Sequence, residues 1–353
     1  MNAIPAMTPP TPPAGADGLA PAGRASDPTP IAAPASARIA ADAPLFILLN
    51  PGSGSGDSDA ACEQITQVLA AAGRAHRLRR VGPGQRLGEL AAQVVADALR
   101  ERGAVVAAGG DGTLNAVAAE AHAAGCAFGI IPQGTFNYFA REHGIPTDPR
   151  EATAALLAAR PQPVQVGEVN GRLFLVNASI GLYPESLRDR EALKRRWGRR
   201  RLVALGAALR TLLRGIHPLR VRLQHGDETE ALRLATLFVG NNRLQLQQLG
   251  LAEADALADG RLAAVLLRPL PRRSLLWLLL RGAFGALADA SGVRHLAFDE
   301  LQVSPPDGRS RRWRVSTDGE LQWLATPIRF RPAARPLWLM LPPAADDDAA
   351  ADQ

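Results

Sequence analysis

Apolar residues follow no rhythm over residues 1–43, where Ala, Pro, Gly, Thr and Ser dominate, and become periodic from Pro44 onward. The opening stretch has too little to bury to repay its ordering entropy, and it predicts a disordered arm. It also lacks a basic stretch followed by an apolar one, so it does not read as a secretory signal. From Leu45 to Leu49 five apolar residues run together and stop at Asn50-Pro51-Gly52. That is the pattern of a buried parallel strand ending in a loop. A helix is expected from about Asp59 to Ala72, with Ile65, Val68, Leu69 and Ala72 on one face. A second strand over 75–81, a second helix over 87–102, a strand over 104–108, a helix over 114–124 and a strand over 127–131 complete a strand–helix rhythm. This rhythm predicts an α/β layer on a mainly parallel sheet across 44–160.

Beyond residue 161 the pattern changes to strands: 164–169, 172–178, 219–224, 230–240, 261–267, 295–303, 312–316 and 327–329. Short turns such as Asn170-Gly171 and Gly226-Asp227 separate several of them, which predicts an antiparallel β-rich domain over 161–341. Its last strand could return to the first domain. Two helical insertions are expected, Arg188–Arg214 and Ser274–Ala290, and residues 342–353 read as a disordered tail. The chain is 353 residues long and 47% hydrophobic, enough for two domains with real cores.

Charge narrows the chemistry. The formal net charge is +6, yet the chain holds a single lysine, Lys194, between Leu193 and Arg195. A P-loop or a protein-kinase strand lysine cannot be built from it. Cys62 and Cys126 offer no metal or disulfide spacing, and the six histidines form no HExxH or paired cluster. The Gly52–Gly56 run has the wrong phase for a nucleophile elbow. Arg188–Arg214 carries ten basic residues against two acidic ones, with Trp197 among them. A solvated helix face explains this as well as an anionic membrane contact does. With few aromatics interleaved, nucleic acid is not an expected partner. Ser274–Ala290 is apolar but broken by Arg281, too short to cross a bilayer, and suits a core helix or a lipid-entry wall.

Three loops follow apolar strands: Asn50-Pro51-Gly52-Ser53-Gly54-Ser55-Gly56, Gly109-Gly110-Asp111-Gly112-Thr113 and Gly134-Thr135-Phe136-Asn137. At the carboxyl ends of strands in an open α/β sheet, such loops present backbone N–H groups to phosphates. Taken singly, the first reads as a flexible linker and the second as a turn whose Asp111 or Thr113 caps a helix. Three at successive strand ends would converge on one crevice. None matches GxGxxG, so a dinucleotide fingerprint is not indicated.

These loops, with Ala140-Arg141 after the third and the late Asp318-Gly319-Glu320, resemble the diacylglycerol kinase catalytic domain family. That family includes bacterial lipid kinases and the sphingosine and ceramide kinases. The Gly-Gly-Asp-Gly-Thr segment alone is shared with NAD kinases, whereas the motifs in this order are specific, and they span about 45 to 335. The resemblance implies an NAD-kinase-like α/β domain, an antiparallel β-sandwich domain and a cleft between them. It implies a kinase that uses ATP and Mg²⁺ to phosphorylate a lipid hydroxyl, with diacylglycerol the default acceptor. A sphingoid or other lipid, an NAD kinase, and a weakly active nucleotide- and membrane-binding regulator are the alternatives. Partners implied are the lipid substrate and an anionic membrane surface, with cytoplasmic, peripheral localisation; a homodimer is left open.

Carried over position by position, the resemblance implies nucleotide-binding roles for Asn50, Ser53, Gly109, Gly110, Gly112, Thr113, Thr135 and Asn137. By the same resemblance Asp111 would lie near the metal and γ-phosphate, Asp318 is the candidate general base, and Glu320 would support it or the metal. Three positions depart from the family pattern. Tyr138 stands where Asp or His is common, Gln165 where an acid is usual, and Asp259 matches one ligand of a structural metal loop whose expected partner is Ala254.

Overall fold

The computed structural model describes residues 33–51, 58–181, 218–248, 252–269 and 292–343. The two helical insertions expected at Arg188–Arg214 and Ser274–Ala290, and Ser53 with the glycines around it, lie outside the described residues. So do most of the arm and the tail.

The first layer forms as the pattern predicts. Strand β1 (Leu45–Leu49) is buried at every position, as are β3 (Ala104–Gly109) and β4 (Phe128–Pro132). Helices α1 (Ser58–Ala71) and α2 (Leu87–Arg100) lay apolar stripes on them. Ala61, Ile65 and Leu69 are buried on α1, and Leu90, Ala91, Val94, Val95 and Ala98 on α2. Strand β2 (His76–Arg80) flanks β1 in parallel. Helix α3 (Asp111–Ala124) ends at Gly125, whose left-handed φ of 65° suits glycine. Two helices were not visible in the apolar rhythm, α4 (Tyr138–Glu142) and α5 (Pro149–Ala158). The second carries its own signal, because Asp148 accepts from Arg150 N and Glu151 N and proline follows it. The sheet is completed by β5 (Arg160–Val164) and by β18 (Leu337–Leu341), in the order β2-β1-β3-β4-β18-β5. Residues 337–341 therefore return from the far end of the chain to sit parallel to β4.

The β-rich part holds two antiparallel six-stranded sheets. One runs β10-β9-β14-β17-β6-β7 and the other β13-β12-β11-β8-β15-β16. The first contains β6 (Gly167–Val169), β7 (Arg172–Phe174), β9 (Leu219–His225), β10 (Glu228–Leu234), β14 (Leu301–Ser304) and β17 (Ile328–Pro332). The second contains β8 (Asn177–Gly181), β11 (Thr236–Gly240), β12 (Leu262–Leu267), β13 (Val293–Phe298), β15 (Arg312–Thr317) and β16 (Glu320–Ala325). Val169, Phe174, Ile180, Val239, Phe298 and Phe330 share the core between them. A short helix, α6 (Arg243–Gln248), lies on the second sheet, where Leu246 packs with Ala254 and Ala263.

Runs predicted as single strands turn out to be bent. Residues 172–178 contribute to β7 and β8, 230–240 to β10 and β11, and 295–303 to β13 and β14, each pair divided between the two sheets. Residues 164–169 likewise pass from the first layer into the sandwich. An apolar run feels only burial, and a corner between two sheets that share a core is as buried as a strand. Gly167 marks one place where side-chain volume decides the packing: a β-carbon there would come within 2.1 Å of the Phe174 ring opposite it. Gly167→Ala is expected to cost about 1–3 kcal/mol of stability. Urea denaturation checks this, and an unchanged midpoint would contradict it.

Candidate active site

Strands β1, β3 and β4 are neighbours in one parallel sheet, so their carboxyl ends bring the three loops together. The contacts are specific. Asn50 donates its backbone N–H to Ala108 O at 3.0 Å and its Nδ2 to Thr113 Oγ1 at 2.9 Å, tying the end of β1 to α3. Gln133 N donates to Gly109 O at 2.7 Å. A side chain on Gly134 would meet Asn137 Oδ1 at 2.7 Å and Gly110 Cα at 3.3 Å, so the second and third loops pack glycine to glycine. Asn137 holds a left-handed φ of 48° and donates Nδ2 to Gly134 O at 3.0 Å. Its Oδ1 is buried without a partner, as is Gln133 Nε2. Thr135 is exposed at the rim.

A cavity of about 340 Å³ opens here, lined by Ser58, Gln64, Gln133, Gly134, Thr147 and Asp148. Unpaired buried polar groups beside a cavity and helix N-termini are what a phosphorylated polar ligand would complete. A cavity of similar size, lined by Glu168, Glu300, Arg329 and Arg331, includes no residue of these loops, and its Arg331 already pairs with Glu168 at 3.0 Å.

Helix α3 starts three residues earlier than its apolar pattern suggests. Gly110 precedes its first turn in an extended conformation, and Asp111 is the first helical residue rather than a loop tip. Asp111 is half-buried, and loss of water, followed by the nearby charge of Asp318, pushes its carboxyl up to about 6. A β-carbon on Gly112 would lie 2.8 Å from Glu320 Oε1, so the Glu320 carboxylate rests against the glycine of that first turn.

Asp318 and Gly319 have φ of 47° and 89° and form the turn between β15 and β16. The Asp318 carboxylate accepts four hydrogen bonds. Oδ1 receives Val176 N at 2.8 Å and Asn177 N at 2.9 Å; Oδ2 receives Leu175 N at 2.7 Å and Asn115 Nδ2 at 2.6 Å. Burial holds this carboxyl above its ordinary value, against the opposing pull of the four donors. With every acceptor position filled by an N–H, the geometry is that of an ionised group. It leaves no lone pair for a substrate proton, so the general-base role expected of Asp318 does not fit. Asn115, which also donates to Leu173 O at 3.3 Å, escaped the sequence reading. It lies one turn after Asp111 on α3, but its partner is 203 positions away.

The departures from the family pattern have local explanations. Gln165 Nε2 donates to Asn241 Oδ1 at 2.9 Å and Arg261 O at 3.2 Å, two bonds no carboxylate could make. Tyr138 OH donates to Gln248 Oε1 at 3.2 Å, linking α4 to α6. Glu142, pushed up to about 7 by burial, accepts from Arg243 N at 2.6 Å and from Asn242 Nδ2 at the same junction. Asp259 is paired with Arg261 at 3.1 Å, away from the glycine loops, and Asp255 with Arg243 at 2.7 Å. Arginines hold this segment, and among the described residues no cluster of three His, Cys, Asp or Glu could cage a metal.

Residues 44–169 match the family described as the diacylglycerol kinase catalytic domain. A Pseudomonas aeruginosa protein named probable lipid kinase YegS-like is 51% identical over 80 residues, 22% of this chain and 26% of that protein. A Bacillus subtilis diacylglycerol kinase is 39% identical over 100 residues, 26% of this chain and 31% of its own. A YegS-like probable lipid kinase of Pseudomonas syringae pv. tomato is 34% identical over 188 residues, 51% and 59% of the two chains. The chain thus aligns with about a quarter of the length of the first of these relatives. Among solved structures, a diacylglycerol kinase from Bacillus anthracis str. Sterne superposes with a TM-score of 0.59 at 18% identity, over 85% of this chain and 97% of that one. A second crystal structure from the same strain gives 0.65 at 21% identity, over 85% and 98%. At these identities the likeness establishes the fold: an α/β layer followed by antiparallel sheets, as the sequence predicts.

The buried charge of Asp111 has a cost that depends on pH. Its folded value lies above the ordinary 3.8, so ionisation between there and about 6 opposes folding, and the penalty is complete above that range. Without nucleotide or metal, Asp111→Asn is expected to raise the thermal midpoint at pH 7.5 by a few degrees, and the gain should vanish near pH 4. An equal or lower midpoint at pH 7.5 would contradict the assignment.

Proposed function

With residues 44–169 matching the diacylglycerol kinase catalytic domain, we propose that this chain is an ATP- and magnesium-dependent lipid kinase with diacylglycerol as acceptor. The observation that carries the reading is the Glu320 carboxylate resting against Gly112 at the start of α3. A proton acceptor there sits beside the first turn of the helix whose backbone N–H groups would hold the transferring phosphate. The acceptor hydroxyl oxygen bonds to the γ-phosphorus, the bond to the ADP oxygen breaks, and the hydroxyl proton passes to Glu320, giving a lipid phosphate and ADP. Glu320 takes the role that the saturated Asp318 cannot, while Asp318 holds the turn that aims it.

The glycines of the second and third loops let the backbone approach the nucleotide, and the Asn50–Thr113 bond keeps the first strand end in register with them. Magnesium fits the donor set: a carboxylate of raised proton affinity beside a second carboxylate welcomes a cation, and one or two carboxylates with phosphates suffice for it. Asp111 would hold it, and its chemistry there is to neutralise charge on the phosphates. In this reading residues 44–160 serve the nucleotide and 161–341 the acceptor, with β18 completing the first sheet. A bilayer-resident acceptor calls for peripheral contact with an anionic membrane on the cytoplasmic side. Among the described residues no helix is long and apolar enough to cross a membrane.

Purified protein with Mg-ATP and dioleoylglycerol micelles should yield phosphatidic acid. Glu320→Gln is expected to lower kcat by about 10²–10⁴-fold with the protein still folded. Formation of NADP from NAD without a lipid product would overturn the reading, and full turnover by Glu320→Gln would overturn the assignment of the base.

A further inference from the structure

Asn241 and Asn242 join β11 to α6, and both are buried: Asn242 is 0% exposed and Asn241 is 6% exposed. Neither has a part in the phosphoryl transfer proposed above, yet both side-chain amides are engaged. Burying an amide is unfavourable unless its hydrogen bonds to water are replaced. Two in succession, each with its donors and its oxygen paired, mark a place where direction matters.

The two neighbours hold opposite sides of the crevice. Asn241 donates Nδ2 to Leu175 O at 3.0 Å and its backbone N–H to Val176 O at 2.8 Å. Those residues belong to the bend whose amides hold Asp318, and hence the turn that carries Glu320. Asn242 binds the first layer instead. Its Nδ2 donates to Tyr138 O at 3.1 Å and to Glu142 Oε2, while its Oδ1 caps α6 by accepting Gln245 N at 2.8 Å. Arg243 N donates to Glu142 Oε1 at 2.6 Å, and Tyr138 OH to Gln248 Oε1 at 3.2 Å. Helix α4 is thus bonded to both ends of α6.

The third loop leads directly into α4. Asn137 precedes the helix and donates to Gly134 O, and Gly134 packs on Gly110 of the second loop. Phe139 and Ala140 bury one side of α4 in the first core. Apolar contact is non-directional, and the five residues of α4 make only about one and a half turns. Core packing therefore sets the depth of α4 and leaves its rotation open. The bonds from Asn242 and Arg243 are directional and set that rotation, which aims Asn137 and its unpaired Oδ1.

We propose that Asn242 is a positioning residue for the nucleotide: through Glu142 and Tyr138 it fixes α4, and with it Asn137 and the third loop. The inference rests on the kinase reading. Asn242 touches no ligand itself. ATP affinity is then governed partly from the acceptor half of the chain, and the nucleotide site is complete only while α6 is docked on α4.

The test exchanges donor for acceptor. Asn242→Asp keeps the cap on Gln245 N but sets a carboxylate against Glu142, and Glu142→Gln sets an amide N–H against the Asn242 amide. Made together, the two changes rebuild the bond in the opposite sense at the same net charge. Mg-ATP binding by the full chain is measured calorimetrically at pH 8, where Glu142, pushed up to about 7 by burial, is ionised. Turnover of dioleoylglycerol is followed in parallel. A hydrogen bond to a charged group corresponds to about a tenfold effect. Either single change should weaken Mg-ATP binding and raise the KM for ATP about tenfold, with kcat at saturating ATP and the lipid KM unchanged. The double variant should recover most of the loss. Where one single variant fails to fold, the other carries the comparison. Wild-type ATP affinity in a folded single variant, with or without a lowered thermal midpoint, or a loss that the double variant does not recover, overturns the positioning role while the kinase reading stands. Absence of Mg-ATP binding and of lipid product in wild type overturns both.

Discussion

The Asp318 carboxylate is the point on which the arrangement of this protein depends. Its four donors come from two places: Asn115 from helix α3 beside the glycine loops, and the backbone amides of Leu175, Val176 and Asn177 from the bend between β7 and β8. The carboxylate itself sits on the turn between β15 and β16. One ionised side chain thereby fixes the helix that would hold phosphate, the corner where the chain passes from one sheet to the other, and the strand that begins with Glu320. Deleting it would strand three backbone N–H groups, each at about 1–3 kcal/mol when buried unpaired. A group with that duty makes a poor acid or base, because every change of its protonation would loosen the frame.

The same division between holding and reacting runs through the rest of the crevice. Gly112 and Gly134 leave room that a side chain would fill: the Glu320 carboxylate lies against the first, and Asn137 and the backbone of Gly110 against the second. Asp111 keeps a charge half-buried beside another charge, which is unfavourable for folding and useful for a cation. The joint between α4 and α6, made by Tyr138, Glu142, Asn242 and Arg243, is a second tie across the fold. These ties bring residues from opposite ends of the chain into one crevice, and the reacting groups are left at their margins.

Much of this was legible in the sequence wherever burial alone decides. The apolar runs at 45–49 and 104–108 could only be interior strands, and the α/β layer followed. The bends at Leu175-Val176, Ala235 and 299–300 were not legible, since a corner is as apolar as the strands it joins. The glycine loops and Asp318-Gly319-Glu320 stood out as chemistry, but their division of labour did not. Asp318 and Glu320 are both acids in one turn, and only the donors from Asn115 and the β7–β8 bend, more than a hundred residues away in sequence, distinguish the anchored carboxylate from the one proposed as base. Gln165 looked like a lost charge and is a donor to two acceptors. Asp259 looked like half of a metal site and is half of an ion pair.

Amide hydrogen exchange at Leu175, Val176 and Asn177 tests the anchoring role of Asp318 most directly. In the wild type these three amides should be as protected as the strand interior from Ala178 to Ile180. In Asp318→Ala they should exchange orders of magnitude faster, while Ala178–Ile180 stay protected and Glu320→Gln leaves all of them unchanged. Full protection of the three amides in Asp318→Ala, together with lost turnover, would show that the carboxylate handles a proton rather than holding the fold, and would contradict the account.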